Sequence, residues 1–300
     1  MLRVLNASTE RFLANLEAIQ RRVDTAQQQI SSGRKLVRPS DDPDQVSTML
    51  QARADLEQTR QIRKDLGRVK TEVDTAEQSL QQTALLMDRI KVLGTQGING
   101  TQTPESRASI AAEIEALFGQ LVNISRTSVD GRFIFSGDSD QTPPYTLDLT
   151  QPNGVSLYAG TAATRATRHP SGTTFSVAKT AQEIFDNATP GKNIFAAVNS
   201  LRTALLAGDE TAMAAALGDL TTASTHLNSE LSYYGSGQNQ VDEATNSAAN
   251  LEVRLQGELS TIQDADLTSA ILELQQGQIA QEAALSSRAQ MPRTSLFDYL

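Results

Sequence analysis

Apolar residues near the start of the chain, Phe12, Leu16, Ile19, Val23, Ala26 and Ile30, recur at alternating steps of four and three. That spacing places them on one stripe of a helix. Near the other end Leu267, Ile271, Leu274 and, after a polar interruption, Leu285 repeat the pattern. Gly33 is placed to end the first helix. Pro39 and Pro43 follow, with Asp42 set to cap a second helix whose first position is Pro43. From Val46 to about Leu93 no strong breaker intervenes, and Leu66, Val69, Val73, Ala76, Leu80, Met87 and Ile90 hold a heptad seam. A helix of that length would span roughly 70 Å. Gly94, Gly97 and Gly100 predict a turn, after which Ile110, Ile114, Leu117, Leu121 and Ile124 predict a third helix folding back antiparallel.

After Gly131 the pattern changes. Tyr145, Leu147 and Leu149, then Val155 and Leu157, then Phe175 and Val177 alternate as strands do, between Pro143, Pro144, Pro152, Gly154, Gly160, Pro170 and Gly172. Helix returns from about Lys192, with a break near Gly208-Asp209. Val241, Ala244, Ala248, Leu251, Leu255, Leu259 and Ile262 then continue a seam that slips register at Asp264-Ala265-Asp266. The slip is expected to be the counterpart of the Pro39 to Pro43 linker, so that both chain ends leave the bundle at one level. The expected fold is mainly α: a long antiparallel helical-bundle rod with terminal coiled-coil helices and a small β-rich insert. Its expected segments are a coiled-coil segment 1–42 pairing with 265–300, rod segments 43–137 and 191–264, and an outer insert 138–190.

Composition narrows the function. Aromatics are 4% of the chain and tryptophan is absent, as suits helices packed along seams rather than around one globular core. The net charge of −9 argues against a nucleic-acid partner, which demands a basic face. With no cysteine there is no disulfide, thiolate nucleophile or cysteine metal site. No apolar run approaches the roughly 18 residues of a membrane span, so no membrane partner is expected, and polar residues such as Arg3 and Asn6 break any general secretory signal. Residues 1–40 carry a net +4 and residues 251–300 a net −4, so the two ends, or their counterparts in neighbouring subunits, attract one another.

Candidate chemistry is sparse. Asp41-Asp42, with Asp44 nearby, could offer oxygen ligands to a divalent cation, yet beside two prolines the pair reads as helix capping. His169 and His226 are the only histidines, and no nucleophile elbow, phosphate loop or dinucleotide fingerprint accompanies them. No catalytic residue, metal site or cofactor is expected. The terminal stripes stand apart, because two lone helices make a thin pair that leaves apolar edges open. They are expected to complete their packing against other subunits.

Several stretches together resemble the bacterial flagellin superfamily, and its hook-associated branch in particular. They are Gln29-Ile30-Ser31-Ser32-Gly33, then Pro39-Ser40-Asp41-Asp42-Pro43, then Gly131-Arg132-Phe133-Ile134-Phe135-Ser136-Gly137, and the terminal Ser295-Leu296-Phe297-Asp298-Tyr299-Leu300. The insert adds only Tyr158-Ala159-Gly160. The resemblance implies a non-enzymatic subunit of the extracellular flagellum, exported through the flagellar type III channel. Its implied partners are flagellin, hook-associated protein 1, further copies of itself in a ring, and an export chaperone at the C-terminal region. Terminal seams would carry assembly: Leu16, Ile19, Val23 and Ile30 on one side, and Ile271, Leu274, Leu285, Leu296, Phe297 and Leu300 on the other. Filament flagellin is the nearest competing reading. A cytoplasmic coiled-coil scaffold is the next, and an enzyme the weakest.

Overall fold

The computed structural model describes the backbone of residues 2–35 and 43–289, with side chains over 9–35 and 45–289. In chain order these residues form α1 (Leu2–Ser32), α2 (Pro43–Gly97), α3 (Pro104–Ser125), β1 (Ser128–Val129), β2 (Arg132–Phe133), β3 (Thr167–Arg168), β4 (Thr174–Phe175), α4 (Ala181–Ile184), α5 (Ile194–Ala207), α6 (Glu210–Gln263) and α7 (Leu267–Ala289). The fold is mainly α, built of long helices with a small insert that carries short antiparallel strand pairs. One compact unit gathers Met1–Gln58 and Glu252–Leu300, and the other is Thr59–Leu251.

In the larger unit, α3 folds back antiparallel on α2. Arg89 donates to Glu113 at 2.6 Å, and Ser79 meets Thr127 at 3.2 Å further along. Helix α6 also runs antiparallel to α2, with Lys70 paired to Asp242 and Gln238 donating to Asp74 at 2.9 Å. The heptad positions expected on α2 supply the core: Leu66, Leu80, Met87 and Ile90 are fully buried. The break at Gly208-Asp209 falls where expected. Gly208 ends α5 in the left-handed region at φ 69°, and the Asp209 carboxylate accepts from the Ala212 N–H at 3.0 Å.

Two of the glycines expected to form a turn lie inside α2 instead, and the chain turns only beyond Gly97. The reason is close packing. A Cβ on Gly94 would sit 2.8 Å from side-chain carbons of Leu201 and Leu217, and one on Gly97 would collide with Leu205. These glycines let α5 and α6 approach α2, at the cost of some helix propensity. Gly97→Val should therefore lower the stability of this unit by about 1–3 kcal/mol through overpacking. A shift of the urea midpoint to lower denaturant measures it.

The insert and the hairpin that leads into it are held by short backbone pairings and by side-chain bonds together. Strands β1 and β2 form a hairpin whose two-residue turn, Asp130 at φ 52° and Gly131 at φ 75°, uses the doubly positive geometry that suits twisted strands. Strands β3 and β4 pair over two residues each, and Leu147 meets Val155 in a single bridge. Longer ladders are interrupted by prolines, which lack the N–H a ladder requires. Asp186 compensates as a hub. Its carboxylate accepts from the Tyr145 hydroxyl at 3.0 Å, from Asn153 at 2.8 Å and from Asn193 at 2.5 Å. Burial, reinforced by the Asp186 charge, pushes the Tyr145 phenol well above its ordinary pKa, so it stays a donor. Tyr145 also packs edge-on against Phe195 of α5, and Phe195 stacks on Phe185 and meets Phe118 of α3 edge-on.

Candidate assembly interface

The smaller unit contains the helix pair that the terminal stripes predict. Helices α1 and α7 lie antiparallel: Arg22 bonds Glu273 at 3.0 Å, Val23 lies against Gly277, and the Arg288 guanidinium sits 5.6 Å from the centre of the Phe12 ring. On α1 the stripe is turned inward. Ala26 is buried, and Phe12, Leu16, Ile19, Val23 and Ile30 are half-buried. A two-helix pair cannot cover both partners, which is why only one of these six positions is fully enclosed.

On α7 the stripe divides. Leu274 is half-buried, in line with Ala270, Gly277, Gln281 and Ala284, whereas Ile271 and Leu285 are 46% and 51% exposed. Leu267, also 47% exposed, sits on the same strip as Ile271 and Leu285, since steps of four and eighteen return to nearly the same side of a helix. Leu272 and Ile279, seven apart, form a second exposed apolar line. Of the residues singled out from sequence, Leu16, Ile19, Val23, Ile30 and Leu274 are thus brought into one seam, while Ile271 and Leu285 form an open edge beside it. Leu296, Phe297 and Leu300 lie outside the described residues, as does the Pro39 to Asp42 stretch.

Small residues made the difference. Ala270, Gly277 and Ala284 recur every seven positions and let α1 approach, and that heptad spacing was the signal available for them. A Cβ on Gly277 would fall 2.6 Å from Val23 Cγ2. The Arg22–Glu273 pair across the seam is about half exposed and contributes only about 0–1 kcal/mol.

The seam closes at a short backbone clasp. Gly33, at φ 68°, ends α1 with its N–H donating to the Gln29 carbonyl at 2.8 Å. The Lys35 N–H then donates to the Gln263 carbonyl at 2.6 Å, and the Ala265 N–H to the Gly33 carbonyl at 3.0 Å, setting Arg34 opposite Asp264. Arg53 of α2 reaches the Gln263 side chain at 2.8 Å. Asp266 starts α7, its carboxylate accepting from the N–H groups of Thr268 at 3.0 Å and Ser269 at 3.2 Å. The end of α1 and the break between α6 and α7 therefore sit side by side; the Pro39 to Asp42 part of the linker expected to match that break lies outside the described residues.

The residues weighed for chemistry have local roles. His226 is buried on α6, with Nε2 3.0 Å from the Glu183 carbonyl and Nδ1 3.7 Å from Glu230. His169 bonds Ser171 within a turn of the insert. Asp44 lies in α2, and Asp41 and Asp42 fall outside the described residues. Among the described residues no group of three or more His, Cys, Asp or Glu side chains could hold a metal ion, and no helix is long and apolar enough to cross a membrane.

The described residues thus form a mainly α chain of long helices with a clasped, thinly covered terminal pair. The chain belongs to the bacterial flagellin family: residues 5–140 match the flagellin N-terminal helical region and residues 217–300 the flagellin C-terminal helical region. It is 25% identical over 295 residues to the flagellar hook-associated protein 3 of Escherichia coli (strain K12), covering 90% of each chain. It is 24% identical over 263 residues to the flagellar filament 30.7 kDa core protein of Treponema maltophilum, covering 88% of this chain and 86% of that one. A crystal structure of Xanthomonas campestris FlgL superposes with a TM-score of 0.60 at 17% identity, over 69% of this chain and 98% of that one.

Proposed function

We infer that this chain is a structural subunit of the bacterial flagellum seated at the hook–filament junction, where it joins the hook side to the flagellin filament. The observation that carries the reading is the open apolar edge of α7, Leu267, Ile271 and Leu285, beside a seam already occupied by α1. An edge of that kind, left in water, is an association surface. Joined head to tail with other subunits it gives a heterologous, open contact, which is how filaments extend. In this reading the partners are hook-associated protein 1 on the hook side, flagellin on the filament side and further copies of the chain around a ring. An export chaperone covers the C-terminal region before passage through the flagellar type III channel, which keeps its apolar positions from aggregating.

Filament flagellin is the second reading, favoured by the similarity to the Treponema maltophilum filament core protein. Deletion of the gene separates the two. Loss of a junction subunit should leave hooks without filaments and release flagellin monomers into the medium, whereas loss of the filament protein leaves no flagellin to release. Immunogold labelling of purified flagella should mark a single band at the hook end. Label along the whole filament would overturn the junction assignment.

A further inference from the structure

The side chains between α1 and α7 fix only in part which residue faces which. On α7 the inward positions Ala270, Gly277 and Ala284 repeat every seven residues, and on α1 Leu16, Val23 and Ile30 do the same. Along that line, sliding one helix by a heptad, roughly 10 Å, replaces small residues with small and aliphatic with aliphatic; the neighbouring line, Phe12, Ile19 and Ala26 on α1 with Leu274 and Gln281 on α7, changes in size or polarity and opposes the slip only there. Polar contacts across the seam include the exposed Arg22–Glu273 bridge and Arg288, which donates to the Thr9 hydroxyl at 3.4 Å and lies over Phe12; these exposed contacts are weak discriminators. Gly277 favours Val23, since a Cβ there would fall 2.6 Å from Val23 Cγ2, and Ala270 or Ala284 in its place requires the helices to move apart locally.

The backbone clasp has no such freedom. Lys35 N–H to Gln263 O and Ala265 N–H to Gly33 O flank one residue pair, Arg34 and Asp264, and both chain segments are anchored by helix ends. A heptad slip would break both bonds and leave no equivalent pair to replace them, because regular helix precedes Gly33 and lies on both sides of Asp264-Ala265-Asp266. We propose that this clasp is the register lock of the terminal helices: it sets the α1–α7 alignment within each subunit before assembly, so that α7 presents Leu267, Ile271 and Leu285 to a neighbouring copy at one fixed height. Its consequence for assembly rests on the junction reading, but the register is a property of the single chain.

The test uses the absence of cysteine from the sequence. Val23 Cβ lies 3.8 Å from where a Cβ on Gly277 would stand, a separation that a disulfide spans without strain. Purified full-length Val23→Cys/Gly277→Cys, oxidised with copper phenanthroline and air, should close an intramolecular disulfide. Adding Lys35→Pro and Ala265→Pro removes both clasp donors. The in-register crosslink should then fall by about tenfold, the scale of two lost backbone hydrogen bonds. The slipped pairs Val23→Cys/Ala270→Cys and Val23→Cys/Ala284→Cys should gain in the same background. Lys35→Ala, which keeps its N–H, should leave the original crosslink unchanged, and the melting of the larger unit reports that the chain is folded. An undiminished crosslink in the double-proline chain, or none in its parent, overturns the proposal. A chain that crosslinks as described but is missing from purified flagella removes the junction reading alone.

Discussion

The double substitution Leu16→Asp with Val23→Asp should abolish filament attachment while leaving the melting of Thr59–Leu251 unchanged. Both positions are half-buried in the seam against α7, and neither belongs to the core of the larger unit. Replacing each aliphatic side chain forfeits about 1–2 kcal/mol of burial. It also places two carboxylates one heptad apart in an apolar seam, where Arg22 is already engaged by Glu273 and Arg288 by Thr9 and Phe12. The thin pair has little to spare, because Ala26 is the single fully buried residue of its α1 stripe. On the proposed ring assembly every copy carries the same defect, so a modest loss per subunit is multiplied into loss of the junction. Motility plates and electron microscopy of detached hooks read the outcome, and circular dichroism confirms that the long helices persist. Normal attachment by this variant would remove α1 from the assembly mechanism.

Much of this arrangement was legible because helices advertise themselves by period. The stripe from Phe12 to Ile30, the seam from Leu66 to Ile90 and the break at Gly208-Asp209 each follow from spacing and from one cap or glycine. Where the reading fell short, the cause was tertiary. Gly94 and Gly97 carry the local signature of a turn, and only the neighbouring Leu201, Leu205 and Leu217 reveal them as a close-packing surface. Ile271 and Leu285 share the period of Leu274, and the small residues Ala270, Gly277 and Ala284 set α7 so that those two lie on the open edge, beside the seam with α1. Periodicity selects a helix face to within a residue or so, and the size of the side chains decides which edge of that face meets the partner. The insert was least legible, since its order depends on Asp186 bonding to Tyr145, Asn153 and Asn193, partners scattered along the sequence that no local pattern links. The Asp130-Gly131 turn was the exception, a strong hairpin signal available from two letters.

Phe195→Ala should be the most damaging single substitution in the larger unit. The ring is fully buried, meeting Tyr145 at 5.3 Å, Phe185 at 5.6 Å and Phe118 at 5.9 Å between centroids. Truncating such a residue costs about 3–5 kcal/mol through lost transfer energy and the cavity left behind. In a unit of this size that corresponds to a fall of roughly 10 °C in melting temperature. The damage should be uneven. Tyr145 and Phe185 belong to the insert and its exit, and Phe118 belongs to α3, so Phe195 joins the insert to the bundle, alongside the Asn199 amide on the Pro152 carbonyl at 3.0 Å, the Lys179 N–H on the Tyr234 hydroxyl at 3.2 Å and the Lys179–Glu230 pair. Limited proteolysis of the variant should therefore cut first between Gly137 and Thr180, before α2 or α6 is touched. Leu157→Ala supplies the contrast. That side chain is 88% exposed, so its removal should change stability by less than about 0.5 kcal/mol and leave the cleavage pattern alone. If Phe195→Ala instead melted the insert and the bundle together, with no earlier nick, the two would form one cooperative core, and the grip would be shared across the aromatic cluster rather than concentrated at this ring.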